Sequence, residues 1–87
     1  MQVYGFDISE ETFSKAQVLL EKEKSFSFFT TQKTLESAGV PVSAEHPLYG
    51  KVYISYRAAD RWLQKMRKAG LIKYEAKKWH WNKNQSA

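Results

Sequence analysis

The 87-residue chain has 43% hydrophobic and 15% aromatic residues and a net charge of +5, enough apolar material for one folded domain and too much for a disordered segment. It has no cysteine, which excludes a disulfide framework and cysteine-based zinc fingers, and its two histidines, His46 and His80, do not stand at metal-ligand spacing. No run reaches the roughly 18 apolar residues of a membrane span, and the acidic start MQVYGFDISEETF lacks a signal pattern, so the expectation is a cytoplasmic protein with no metal, cofactor or membrane partner.

DISEETFSKAQVLLEKEKS predicts the first helix. Asp7 or Ser9 can cap it, Glu10 and Glu11 suit the positive end of the helix dipole, and Lys22 and Lys24 suit the negative end. Phe13, Ala16 and Leu20 fall on one face, with Leu19 beside them, as a core stripe. Ser25–Phe29 alternates polar and aromatic residues as a short strand does, and Thr30 or Thr31 can cap a second helix of about two turns running through Leu35 to Ala38. Gly39 supplies the left-handed stop and Pro41 prevents resumption.

VPVSAEHPLYGKVYIS, with both prolines, is long for a helix-to-helix connection, where roughly 2 to 8 residues are usual. It reads as a surface excursion, with KVYIS as a brief strand; an extra contact arm is the alternative.

Ser55 is the expected cap of the third helix, with Ile54 and Ala59 placed as a hydrophobic staple. With Arg57 set at zero, Ala59, Trp62, Leu63, Met66 and Ala69 lie at about 200°, 140°, 240°, 180° and 120° and form the apolar face. Arg61, Gln64 and Lys68 lie at about 40°, −20° and 20°, on the opposite face with Arg57, flanked by Lys65 and Asp60. Arg57 and Arg61 are like charges at i, i+4, which weakens a helix by a few tenths of a kcal/mol unless Asp60 relieves it, and arginines tolerated there suit phosphates and guanine edges. Gly70 ends the helix, and LIKYEAKKWHW alternates as a hairpin with Lys77 and Lys78 at its tip. Ile72 and Tyr74 share one strand face with Lys73 and Glu75 on the other, and Trp79 and Trp81 point inward and read as core, with His80 outward.

Charge is divided between the halves. Residues 1–50 have 4 basic and 7 acidic side chains, and residues 51–87 have 10 and 2, so the second half is a +8 pole, the expected footprint of a polyanion partner.

The order helix, short strand, short helix, longer helix and hairpin, with Leu63, Met66, Gly70, Leu71 and Ile72 running into the hairpin, resembles the winged helix-turn-helix of bacterial MarR-like and ArsR-like regulators. The resemblance implies an α+β fold: a single domain over 1–87 with a core at about 8–82, a frayed tail at 83–87, three helices and an antiparallel β-hairpin wing. It further implies that Ser55, Tyr56, Arg57, Arg61 and Gln64 face the major groove, with Lys65 and Lys68 near phosphates. Thr31, Gln32 and Lys33 at the start of the second helix would touch the backbone, as would Lys73, Lys77 and Lys78 on the wing. The expected partner is double-stranded DNA, the expected role a small transcriptional regulator, nucleoid-associated if bacterial, with a phage or plasmid replication or recombination accessory factor as the alternative. A homodimer, or a second protein partner with an acidic surface, is the other class. No nucleophile–base constellation, paired carboxylates or glycine-rich phosphate loop points to an enzyme.

Overall fold

Ser9 opens the first helix, α1 (Glu10–Glu21), by accepting the Thr12 amide at 3.2 Å, and of the two caps the sequence offered it is the one used. The computed structural model describes residues 1–82; the tail expected at 83–87 lies outside the described residues. Ala16 and Leu20 are buried and Phe13 half-buried, as their spacing requires, while Val18 and Leu19 face outward.

Upstream of α1 is a hairpin that the sequence reading did not foresee. Strands β1 (Gln2–Val3) and β2 (Phe6–Asp7) pair antiparallel across a two-residue turn in which Tyr4 has φ +51° and Gly5 φ +83°. Val3 is fully buried, and the Ile8 amide donates to the Met1 carbonyl at 2.8 Å, so the core extends to the first residues rather than starting near position 8.

The strand expected over 25–29 is only two residues long, β3 (Ser25–Phe26). Ser27 takes the cap from the threonines: its Oγ accepts the Thr30 amide at 3.1 Å, and α2 (Phe28–Ser37) starts three residues earlier than Thr31. Thr31 and Thr34 then turn their hydroxyls back to the carbonyls of Ser27 and Thr30. At the far end the Val40 amide donates to the Leu35 carbonyl and the Gly39 amide to that of Glu36, a Schellman stop that requires the φ of +114° found at Gly39.

The connection from α2 onward is a second hairpin, β4 (Ala44–His46) with β5 (Gly50–Val52), so the strand read in KVYIS has a partner. Then follow α3 (Ile54–Lys68) and the third hairpin, β6 (Ile72–Glu75) with β7 (Lys78–Trp81). α3 repeats the Schellman stop, Leu71 amide to Met66 carbonyl and Gly70 amide to Arg67 carbonyl.

Strand β7 pairs with β6 on one edge and with β3 on the other, giving a three-stranded antiparallel sheet in the order β3-β7-β6. Two apolar clusters form the interior, the second of them against this sheet. One joins Val3, Ile8, Ala16, Leu35, Val52 and Ile54; the other joins Leu20, Phe26, Trp62, Leu63, Ile72 and Trp79. Phe13 and Phe28 touch both and join them into one interior. The chain is thus a small α+β fold of three helices and antiparallel strands. Among the described residues no helix is long and apolar enough to cross a membrane.

Candidate nucleic-acid interface

The core side of α3 is wider than its spacing suggested. Ile54, Ser55, Ala58, Ala59, Trp62, Leu63 and Met66 are buried, whereas Ala69, expected inward, is the exposed C-cap. Ser55 neither caps the helix nor faces outward. The cap position is Tyr53, which makes no side-chain cap bond, and Ser55 is fully buried because its place on the wheel, about 160° from Arg57, is the centre of the core face. It therefore leaves the set of groove-facing candidates.

Outward from the same helix stand Arg57, Arg61, Lys65, Arg67 and Lys68, all exposed, with Tyr56 exposed and Gln64 half-buried. Arg57 pairs with Asp60 at 3.7 Å, both side chains about half exposed, a contact worth little in water that nonetheless relieves the repulsion from Arg61. Arg61 donates from Nη1 to the Gln2 carbonyl, so part of its donor set is spent on holding β1. Arg67 Nε donates to Gln64 Oε1 at 3.1 Å. Arg61 and Lys65 also border an open cleft of about 520 Å³ shared with Met1, Phe13, Gln17 and Trp62, and with Glu10, an anion of α1. Tyr56 rests its ring on Phe28 of α2, with centroids 4.9 Å apart.

The start of α2 is rearranged relative to expectation. Thr31 is fully buried, one turn into the helix, and drops out as a backbone contact. Gln32 donates to Ser55 Oγ at 3.2 Å and to Glu36 Oε2 at 3.4 Å, so its amide is committed to the α2–α3 junction. Ser55 Oγ donates to the same carboxylate oxygen at 2.6 Å, and Lys33 Nζ meets Oε1 at 3.2 Å. The Ser55 hydroxyl, assisted by Lys33 and Gln32 and opposed by burial, holds the Glu36 carboxyl below its ordinary range. Of the three, only Lys33 is left exposed, its ammonium 5.4 Å from the Phe29 ring.

On the β6–β7 hairpin the register pairs Ile72 with Trp81, Tyr74 with Trp79, Lys73 with His80 and Glu75 with Lys78, which gives the two faces the alternation predicts. Trp79 is buried and Trp81 donates from Nε1 to the Leu20 carbonyl at 3.1 Å, while Tyr74 stays exposed against the Trp79 ring. Lys73 pairs with Glu75 at 3.4 Å; Lys77 and Lys78 are exposed at the tip. The tip is a two-residue turn with φ +52° at Ala76 and +64° at Lys77, the left-handed pair that usually selects Asn-Gly. From residue 51 to 82 the cations meet just two carboxylates, Asp60 and Glu75.

The residues that sequence reasoning missed are three tyrosines and a lysine. Tyr4, Tyr49, Lys51 and Tyr53 border a cleft beside Tyr56 and Arg57. The local signal, three tyrosines at 49, 53 and 56, was present, but Tyr4 joins them only through the fold. Among the described residues no group of histidine, cysteine, aspartate or glutamate side chains is placed to hold a metal ion. Comparison with protein-family models, with curated proteins and with solved structures gave no match, so geometry and charge alone carry the functional reading.

Proposed function

We propose that the chain is a winged-helix-type module that binds double-stranded DNA, with α3 in the major groove and the β6–β7 hairpin as a wing over the backbone. The order of helices, and the pairing of β3 with β7 that seats the hairpin beside α3, support the winged-helix reading. The observation that supports the DNA reading is the exposed cation set Arg57, Arg61, Lys65, Arg67, Lys68, Lys73, Lys77 and Lys78 on α3 and the hairpin, in a stretch whose own carboxylates are Asp60 and Glu75, with Glu10 of α1 beside Arg61 and Lys65. Tyr56, Arg57, Arg61 and Gln64 are the base-reading candidates, and Lys33, Lys65, Lys68, Lys73, Lys77 and Lys78 the phosphate-contacting ones. A small transcriptional regulator is the role in view, with a phage or plasmid accessory factor as its variant.

The test is titration of a mixed-sequence duplex at several salt concentrations. If about 4 to 6 cations contact phosphates, the log–log slope is near −4 to −5. A flat slope, or no binding at low salt, would sink the reading, and capture of one acidic protein without duplex affinity would replace it with the partner-docking role.

A further inference from the structure

All five tyrosines are exposed, whereas the three tryptophans are buried or half-buried. Four of the five converge. Tyr4 comes from the β1–β2 turn, Tyr49 from the tip of the β4–β5 hairpin, Tyr53 from the cap of α3 and Tyr56 from its first turn, and together with Lys51, Val52 and Arg57 they line a cleft of about 500 Å³. Their exposures of 42, 68, 56 and 57% show that hydrophobic burial does not account for the gathering. The rings are held in defined attitudes: Tyr4 meets Tyr49 edge-on with centroids 6.2 Å apart, and His46 stacks on Tyr49 at 4.6 Å.

Two further observations point to a ligand of stated chemistry. The first is charge: the ionisable lining groups other than tyrosine are Lys51 and Arg57, and no carboxylate is among the lining residues. The nearby anions are Asp60, paired with Arg57, and Glu45, opposite Lys51 in the β4–β5 register. Lys51 Nζ lies 5.7 Å from the Tyr53 ring. The second is backbone strain. Tyr4 occupies the left-handed region at φ +51°, where a bulky side chain is disfavoured and asparagine is not, and the ring so placed remains 42% exposed. The strained position serves the cleft rather than the core.

We propose that this cleft stacks unpaired nucleobases of a DNA strand, with Lys51 on the adjoining phosphates and Arg57 at the border with the duplex-reading row. Aromatic faces set between cations are the combination that holds single strands, because every base has a π-face and every linkage a charge. Arg57 belongs both to the cleft and to the cationic row of α3, so the two surfaces are continuous. Resting on the duplex reading, the inference specifies the preferred DNA as a junction: duplex along α3 and the wing, single strand entering the tyrosine cleft.

The experiment compares a blunt duplex, the same duplex with a short oligothymidine overhang of either polarity, and the unpaired strand alone. Each is titrated with the full chain and with two variants, the double substitution Tyr49→Ala/Tyr53→Ala and the single Tyr4→Asn, whose folding is followed by thermal melting. An overhang of one polarity should tighten binding by roughly 5- to 100-fold, the effect of about one stacked base. The double variant should lose that gain while binding blunt duplex as before. Tyr4→Asn should melt no lower than the parent and still lose part of the gain. Blunt-duplex binding with no gain from either overhang, or a gain that survives in the double variant, overturns this inference and leaves the duplex reading standing. Unpaired strand bound through the tyrosines without blunt-duplex affinity supports the cleft and removes the duplex reading.

Discussion

Ser55 Oγ donates to Glu36 Oε2 across 2.6 Å, a short bond to a carboxylate that is only 14% exposed and that joins α2 to α3. The residue that looked like a cap is in fact an interhelix tie. Ser55→Ala should cost about 1–3 kcal/mol in urea unfolding, because a mostly buried carboxylate loses its strongest donor.

The same carboxylate sets a pH dependence. The Glu36 pKa lies lower in the folded chain than its ordinary value of 4.5, so between the two values the unfolded chain binds more protons than the native one. Its stabilisation is therefore complete above the ordinary value and disappears as pH falls through the folded one. The stability difference between the parent and Glu36→Gln should be largest near neutrality and shrink below about pH 4.5. A difference constant from neutral to acid would show that the ionised form is not what Ser55 stabilises.

Arg57 and Arg61, a matched pair on the helical wheel, differ in the fold. Arg57→Ala removes an exposed pair with Asp60 and should leave the melting curve in place, while lowering specific DNA affinity by about 1–3 kcal/mol if the guanidinium reads a guanine. Arg61→Ala also removes the bond to the Gln2 carbonyl and should lower stability by about 1 kcal/mol as well as affinity. Trp62→Ala opens the core and should cost about 3–5 kcal/mol. Melting beside DNA titration separates the three, and an Arg57 variant less stable than the Trp62 variant would overturn the assignment of faces.

The tip of the β6–β7 hairpin allows stability and affinity to be moved in opposite directions. Ala76→Asn with Lys77→Gly places the favoured residues in a turn whose φ values are +52° and +64°, and should raise stability by about 1 kcal/mol. It also deletes one cation, so the salt slope should flatten by about one unit. Lys77→Gln with Lys78→Gln should flatten it by about two units and weaken all sequences alike, as contacts to phosphates do. A change in base preference instead would place the tip in a groove.

What the sequence made legible was whatever local period and end signals determine. Ala59, Trp62, Leu63 and Met66 are inward because 3.6-residue spacing leaves no other arrangement, and Ile72 faces Trp81 because strand alternation does the same. The start of α2 was obscured because Ser27, Thr30 and Thr31 are all competent caps, and the choice among them follows from Thr31 having a place in the interior. The β1–β2 hairpin is too short for a period, and Tyr4-Gly5 is not the turn pair that announces one. Ser55, Gln32 and Glu36 meet only because two helices cross, as the four tyrosines meet only because two hairpins and the start of α3 come together. Such sites follow from tertiary contacts, which residue spacing does not encode.

The pairing of Ser25 with His80 and of Phe26 with Trp79 has a consequence for biosynthesis. Strand β3 leaves the ribosome well before its partner β7, so the three-stranded sheet closes only after all three helices have been made. Until Trp79 and Trp81 appear, Leu20 and Phe26 lack part of their native packing and the edge of β3 is unpaired. The native sheet is thus completed by contacts distant in sequence, which form only once the β6–β7 hairpin has been made.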